Sequence, residues 1–438
     1  MKKIIYLFVF ISFCANAQTP DYKTLSENVL DQLQRKQFQT VFDQVDHAVF
    51  TKLDTARLAA IWTNVLKQNG DFKRKIKDET GSQGAFYVQT QLLQFERKKI
   101  NFRLIWAENK KIKGLYFIPV DERPTYVVPP YNNPAVATEK KILMVTDNFR
   151  IPGTLSIPNS PGKHPLVILI HGSGPNDRDE TFGPLKIFRD LNSGLNAKGI
   201  AVLRYEKRTR LYQSRMNHEV STYTVKQEVL EDVKRAIEEA KKDSTIDTTR
   251  IFLCGHSFGG MLLPRLAAEN PSVKGLIFMA ANGRRLEDLF IAQAEYLANE
   301  LTDPAKKKMM VDSVKAQSTR VKSLTEKAVN DSARIFQSPA SYWYDLKKYD
   351  ALSTAKSLNM PMLFMYGMRD YQVTSTDVQL WQTALKDRKD AEFKMYPKLN
   401  HFFIAGEGKS LPSEYEKPAN VDITFITDMA TWINSFSK

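Results

Sequence analysis

Past residue 20 the apolar positions first recur at helical spacing. Leu25, Val29, Leu30 and Leu33 form one such set, and Leu58, Ile61, Trp62, Val65 and Leu66 another between Ala56 and Lys67, so two helices are predicted. From Phe86 the period shortens to two, in three stretches over Phe86–Phe95, Ile100–Ala107 and Lys111–Phe117 that read as an antiparallel meander. Helices followed by a meander predict a small α+β domain over residues 18–120. Residues 121–138 carry Pro124, Pro129, Pro130 and Pro134 without apolar periodicity and read as a linker. From 139 to 438 strand and helix signals alternate. Strands are predicted near Lys141–Val145, Arg150–Ile157, Leu166–Ile170, Ala201–Arg204, Ile251–Cys254, Leu276–Ala280, Met362–Tyr366 and Glu392–Tyr396. The later ones are short continuous apolar runs, which suit strands covered on both faces by crossover helices, so the fold class is α/β with a mostly parallel central sheet flanked by helices. Between them Val225, Val229, Val233 and Ile237 mark one such helix. A charged, helical insertion occupies about 284–350.

Composition narrows the class. The chain has 438 residues, 42% apolar and 26% charged, with Gly and Pro near average, which excludes a disulfide-stapled miniprotein and a disordered chain. The apolar run Ile4–Phe13 is too short to span a bilayer, so no transmembrane segment is expected. With Lys2 and Lys3 before it and Ala15-Asn16-Ala17 after it, residues 1–17 read as a cleaved export signal, giving a periplasmic or secreted protein that starts at Gln18. A lipid anchor on Cys14 ranks behind this, because Phe13 precedes it. Cleavage leaves Cys254 as the sole cysteine, so neither an intrachain disulfide nor a Cys-x-x-Cys metal site can form. The net charge of +14 is scattered over short Lys and Arg runs with no interleaved aromatics, which argues for a solvated surface and against a nucleic-acid partner.

The chemistry concentrates at Gly255-His256-Ser257-Phe258-Gly259-Gly260, set between the strand Ile251–Cys254 and a helical run from Met261. Strand, G-x-S-x-G, helix is the pattern of a sharp turn that thrusts the serine hydroxyl out of the sheet edge, with small residues two before and two after because a larger side chain would collide with the neighbouring chain. A serine needs a base and the base an orienting carboxylate. Of six histidines, His401 alone follows the last strand, and Asp370 follows the strand before it. The order Ser257, Asp370, His401 is the expected catalytic set, with Asp377 and Glu392 as fallback carboxylates. The oxyanion of an acyl-transfer intermediate needs two N–H donors. Phe258, next after the serine, supplies one, and Ser173 in His171-Gly172-Ser173-Gly174-Pro175 the other. Asp177, Arg178 and Asp179 continue that loop as an ion-pair latch.

Together with Lys198-Gly199-Ile200-Ala201-Val202-Leu203-Arg204-Tyr205, Gly367-Met368-Arg369-Asp370 and Leu399-Asn400-His401, these motifs resemble the α/β-hydrolases. The resemblance covers about 140–438 and is strongest to secreted bacterial esterases grouped with dienelactone-hydrolase-like and serine-aminopeptidase-like proteins. The domain before it resembles a cystatin-like domain. Two departures stand out. Glu206-Lys207-Arg208-Thr209 replaces a common Asp-Lys-Arg-Gly turn, and Ser257 stands where the dienelactone hydrolases themselves carry cysteine. The resemblance implies a helical cap over about 284–350, in which Tyr342, Trp343 and Tyr344 form either a substrate wall or an anchor for the cap. Phe402 beside His401 carries the same two readings. It implies a serine hydrolase that cleaves carboxylic esters through an acyl-enzyme, without metal or organic cofactor, on a small-molecule or glycan-linked ester. A peptidase or aminopeptidase using the same residues, with Glu287, Asp288 and Glu295 holding an amino terminus, is the alternative. A non-catalytic scaffold is a third reading, and the N-terminal domain is left open for docking or dimerisation.

Overall fold

The computed structural model describes residues 21–120, 124–146, 149–218, 223–327 and 334–436. The expected export signal over 1–17, with Cys14, lies outside the described residues. Two compact units meet in sequence between Glu122 and Arg123.

The N-terminal unit begins with three helices, α1 (Tyr22–Gln34), α2 (Phe38–Gln44) and α3 (Thr55–Asn69), followed by strands β1 (Phe72–Gln83), β2 (Phe86–Phe95), β3 (Lys99–Trp106) and β4 (Ile112–Pro119). Asp21 and Asp54 start α1 and α3 by accepting from the first free backbone N–H groups. The strands form one antiparallel sheet in chain order. Val29 and Leu33 of α1, Trp62 of α3, and Leu93, Phe95, Phe102 and Trp106 of the sheet pack a core of their own. The indole N–H of Trp106 donates to the Ser26 hydroxyl at 2.8 Å, so this buried polar pair satisfies itself. The sequence predicts three strands and two helices here, and the structure has one more of each. β1 escaped because it is an edge strand exposed along most of its length, rich in Lys, Arg, Asp and Glu, with only Phe72 and Ile76 apolar. α2 has seven residues, too few to display a period.

The second unit is an eight-stranded sheet in the order 391–396, 362–367, 275–279, 246–256, 164–170, 201–205, 149–158, 137–146. The first six strands are mutually parallel, and the last two, Phe149–Pro158 and Ala137–Thr146, join antiparallel at one edge. Leu166 to Ile170 and Ile251 to Cys254 in the central strands are fully buried, as continuous apolar runs require when helices cover both faces. The helix expected over Val225–Ile237 opens with a π turn, Lys226–Leu230, before its α-helical part Glu231–Ala240. The insertion is helical over Leu286–Ala298, Pro304–Ser323, Ala340–Lys348 and Ala351–Lys356. Among the described residues no helix is long and apolar enough to cross a membrane.

The expected linker needs correction. Asp121, Glu122 and Arg123 lie outside the described residues, but the stretch after them is strapped to the second unit. The Tyr126 hydroxyl donates to Asp190 at 2.7 Å, the Tyr131 hydroxyl to the Val421 carbonyl at 2.7 Å, and the first strand already begins at Ala137. Prolines here shape a bound strap whose anchors are tyrosines.

Candidate active site

Three glycines and one strained serine build the turn after the strand Ile246–His256. Ser257 has φ +51° and ψ −118°, left-handed backbone that a residue with a side chain adopts only under constraint. The constraint is close packing. A Cβ on Gly255 would stand 2.4 Å from the Gly259 carbonyl oxygen, one on Gly259 2.5 Å from the carbonyl oxygens of Ile170 and His171, and one on Gly260 2.6 Å from Ala281 Cβ. The Ser257 N–H donates to the Met279 carbonyl at 2.7 Å, tying the turn to the next strand. Ser257 remains partly exposed while its chain neighbours are buried.

Two loops from the same end of the sheet bring in the other groups. After the strand Met362–Gly367, the Asp370 carboxylate accepts at Oδ1 from the backbone N–H of Gln372 (2.7 Å) and Val373 (3.0 Å). Its Oδ2 lies 2.6 Å from His401 Nδ1. Both side chains are almost fully buried. The fallback carboxylates are elsewhere: Asp377 caps the helix Ser375–Ala384 and binds Arg284, and Glu392 is exposed on the edge strand.

The loop Gly172–Glu180 abuts the serine, since a Cβ on Gly172 would stand 3.5 Å from Ser257 Cβ. The Gly172 N–H is already engaged by Glu180 Oε1 at 2.7 Å, which leaves the exposed Ser173 to offer the next N–H in the chain. Phe258 is the first residue of the helix Phe258–Glu269, where backbone N–H groups have no partner within the helix. Further along the loop, Arg178 binds Glu206 and Thr154, and Asp179 pairs with Arg204 and Lys186, an ion-pair latch.

Several residues at this site gave no sequence signal of their role. His256 Nδ1 lies 3.0 Å from Glu180 Oε2, and its Nε2 is 3.1 Å from the His401 carbonyl oxygen. Burial pushes the Glu180 carboxyl up, but His256 beside it outweighs that and holds it below the usual range. Burial likewise lowers His256, and Glu180 more than reverses it. His171, also buried, is held down to about 4. The Lys207 ammonium donates to the Gly172 carbonyl at 2.9 Å and pairs with Glu228 at 2.9 Å.

A cavity of about 310 Å³ opens beside Ser173, walled by Pro175, Phe290, Phe336, Tyr342 and Trp343. Tyr342 and Trp343 of the cap both line this cavity. Trp343 lines the cavity and also donates its indole N–H to the Ile335 carbonyl at 2.6 Å, with Phe336 at 5.2 Å between ring centres. The buried Tyr342 ring lies 6.5 Å from that of Phe258. Phe402 packs outside that lining, among His401, His256, Phe182 and Tyr415. The cap acids do not converge on the cavity: Asp288 pairs with Lys322, Glu295 with Lys315, and Glu287 faces a separate cavity with Arg284 and Arg285. Among the described residues no group of three or more His, Cys, Asp or Glu is placed to hold a metal ion.

Residues 166–407 match the family model described as serine aminopeptidase, S33, and residues 26–115 match one described as a protein of unknown function (DUF3887). Esterase EstD of Thermotoga maritima is 34% identical over 401 residues, 92% of each chain. Among solved structures, the chain resembles the esterase Pf2001 of Pyrococcus furiosus (15% identity, TM-score 0.43, 72% of this chain and 98% of that one). It also resembles Est1E of Butyrivibrio proteoclasticus (17% identity, TM-score 0.42, 68% and 96%).

Proposed function

We propose that this chain, which belongs to the serine aminopeptidase S33 family of α/β-hydrolases, cleaves carboxylic esters through an acyl-enzyme on Ser257. The observation that carries the reading is the 2.6 Å contact of Asp370 with His401 Nδ1, in a site whose serine sits on a strained turn. Asp370 holds the Nδ1 proton, which leaves Nε2 to take the proton of the Ser257 hydroxyl as its oxygen attacks the ester carbonyl. The N–H groups of Ser173 and Phe258 receive the oxyanion. His401 then returns its proton to the departing alkoxide, and water, deprotonated by the same imidazole, releases the acid. No step calls for a cofactor.

The identity to an esterase over nearly the whole chain supports ester over peptide cleavage, as does the engagement of Asp288 and Glu295 with cap lysines, which leaves neither poised for an amino terminus. The aromatic walls of the cavity favour bulky or aromatic acyl groups. The test is turnover of a p-nitrophenyl acyl ester panel and of aminoacyl anilides, beside Ser257→Ala. Ester turnover that vanishes in the variant is expected, with aryl or cinnamoyl esters ahead of acetyl and butyryl. Anilide turnover alone would make the protein a peptidase, and silence on both substrates with no fluorophosphonate labelling of Ser257 would make it a scaffold. Export is proposed on the Lys2-Lys3, apolar run and Ala15-Asn16-Ala17 pattern, and is checked by sequencing the mature terminus, expected at Gln18.

A further inference from the structure

Gly172 is a hinge that something must hold. Glycine lacks the steric limits that fix other residues, so the two peptide units flanking it could rotate freely. In the structure each is gripped by a buried charged group. The unit before it offers its N–H to Glu180 Oε1 at 2.7 Å. The unit after it, Gly172–Ser173, offers its carbonyl to the Lys207 ammonium at 2.9 Å and to the Asn176 amide at 3.2 Å.

The second grip has a directional consequence. The described chain has no cis peptide bond, and in a planar trans unit the C=O and N–H point in opposite directions. A lysine that fixes the Gly172 carbonyl therefore also fixes where the Ser173 N–H points, away from the lysine. Lys207 can serve this way because it is itself fixed. It is 2% exposed, and its charge is balanced by Glu228, 7% exposed by side chain, at 2.9 Å. Glu228 also acts on the buried phenol of Tyr342, which burial first and this carboxylate second hold protonated and whose ring forms part of the cavity wall. One run of contacts thus joins cap wall, carboxylate, ammonium and loop carbonyl.

We propose that Lys207, held by Glu228, is a positioning residue that aims the Ser173 N–H at the oxyanion, and that Tyr342 ties this aim to the wall of the acyl cavity. The proposal rests on the esterase reading above. It assigns to Glu206-Lys207-Arg208-Thr209 a role in the chemistry, through a lysine that touches no substrate.

The test compares wild type with Lys207→Met/Glu228→Gln, which removes both charges together and so avoids leaving a buried carboxylate unpaired. Three quantities are read on p-nitrophenyl butyrate: kcat, KM, and inhibition by phenylboronic acid, whose adduct with Ser257 places an oxygen where the oxyanion forms. The expected result is a folded protein with KM within about threefold of wild type and kcat lower by about 30-fold or more, toward the loss seen when an oxyanion donor is removed. Boronate affinity should fall with kcat. A folded double variant with kcat within about threefold of wild type, or one that loses kcat while boronate affinity stays unchanged, overturns the role of Lys207. Should the double variant not fold, Glu228→Gln keeps the volume and is read by the same criteria, with about a tenfold loss expected. Tyr342→Phe keeps the ring and removes only the hydroxyl. About fivefold lower kcat at unchanged KM is expected, and unchanged kcat breaks the tie to the cavity wall. If wild type itself cleaves no ester and fails to label with fluorophosphonate, the esterase reading has failed and this inference falls with it. An active, labelled wild type matched by its variants sinks the inference alone.

Discussion

Replacing Asp370 by asparagine changes one atom, and the surroundings dictate which way round the new amide sits. Asp370 Oδ1 accepts from two backbone N–H groups, Gln372 at 2.7 Å and Val373 at 3.0 Å. In Asp370→Asn the amide oxygen must keep that place. The flipped arrangement would face an NH₂ against two donors and forfeit both bonds, at roughly 1 kcal/mol each plus the cost of burying unpaired donors. The NH₂ is thereby forced toward His401 Nδ1, where the carboxylate oxygen stood at 2.6 Å. A donor facing Nδ1 requires an unprotonated Nδ1, so the imidazole proton moves to Nε2. That is the nitrogen needed to accept the serine proton. The imidazole is thus locked in the wrong tautomer with every heavy atom in place. The equivalent exchange in serine proteases lowers kcat by about 10⁴, which at about 1.4 kcal/mol per factor of ten corresponds to roughly 5.5 kcal/mol of barrier. The assay is kcat on p-nitrophenyl butyrate near neutral pH, with thermal unfolding to show that the fold is intact. A folded Asp370→Asn enzyme that keeps more than about a tenth of wild-type kcat would refute the assignment of base and orienter together.

Other outcomes follow from the same geometry. Gly259→Ala pushes a methyl to 2.5 Å from two backbone carbonyl oxygens, and loss of soluble folded protein, or at least about 3 kcal/mol of stability by denaturant titration, is expected. His171 is held at about 4 by burial, below its unfolded value near 6.5, so protonation favours the unfolded chain: its contribution is fully present above about pH 6.5 and is lost as pH falls toward 4, worth about 3 kcal/mol. Asp190, raised to about 6 by burial, works in the opposite sense, so the comparison to make is the stability difference between wild type and His171→Asn at pH 7 and near pH 4. A difference that does not change with pH would show that His171 titrates in the folded protein as it does in the unfolded chain, without the lowering by burial.

The sequence was most informative where burial is two-sided. The runs Leu166–Ile170, Leu276–Met279 and Met362–Tyr366 announce themselves as central strands because nothing polar survives there. β1, which shows most of its length to solvent, had no such mark, and neither did the strap from Tyr126 to Val136, held by tyrosine hydroxyls and not by an apolar stripe. The same division runs through the site. The turn at Ser257 is written in glycines at fixed spacing around the serine, because each must lack a side chain whatever it faces, Gly259 the carbonyls of Ile170 and His171 and Gly260 the side chain of Ala281. The partners of Glu180, His256, Lys207 and Glu228 are set by contacts between distant segments: Lys207 meets a carbonyl 35 residues away, and His256 one 145 residues away. No spacing rule encodes such meetings. Arg178 and Asp179 are legible as charges but not by partner, since Glu206 and Arg204 arrive from another segment, while Asp177 accepts from the N–H groups of Asp179 and Thr181 in its own loop.

The left-handed backbone at Ser257 sets function against durability at one position. At φ +51° a side chain costs the chain about 1 kcal/mol or more that glycine would not. Ser257→Gly should therefore give a protein that is inactive and harder to unfold than its parent. Drift under selection for stability alone would erase the hydroxyl, and a lineage that keeps it is one in which the reaction is still being selected.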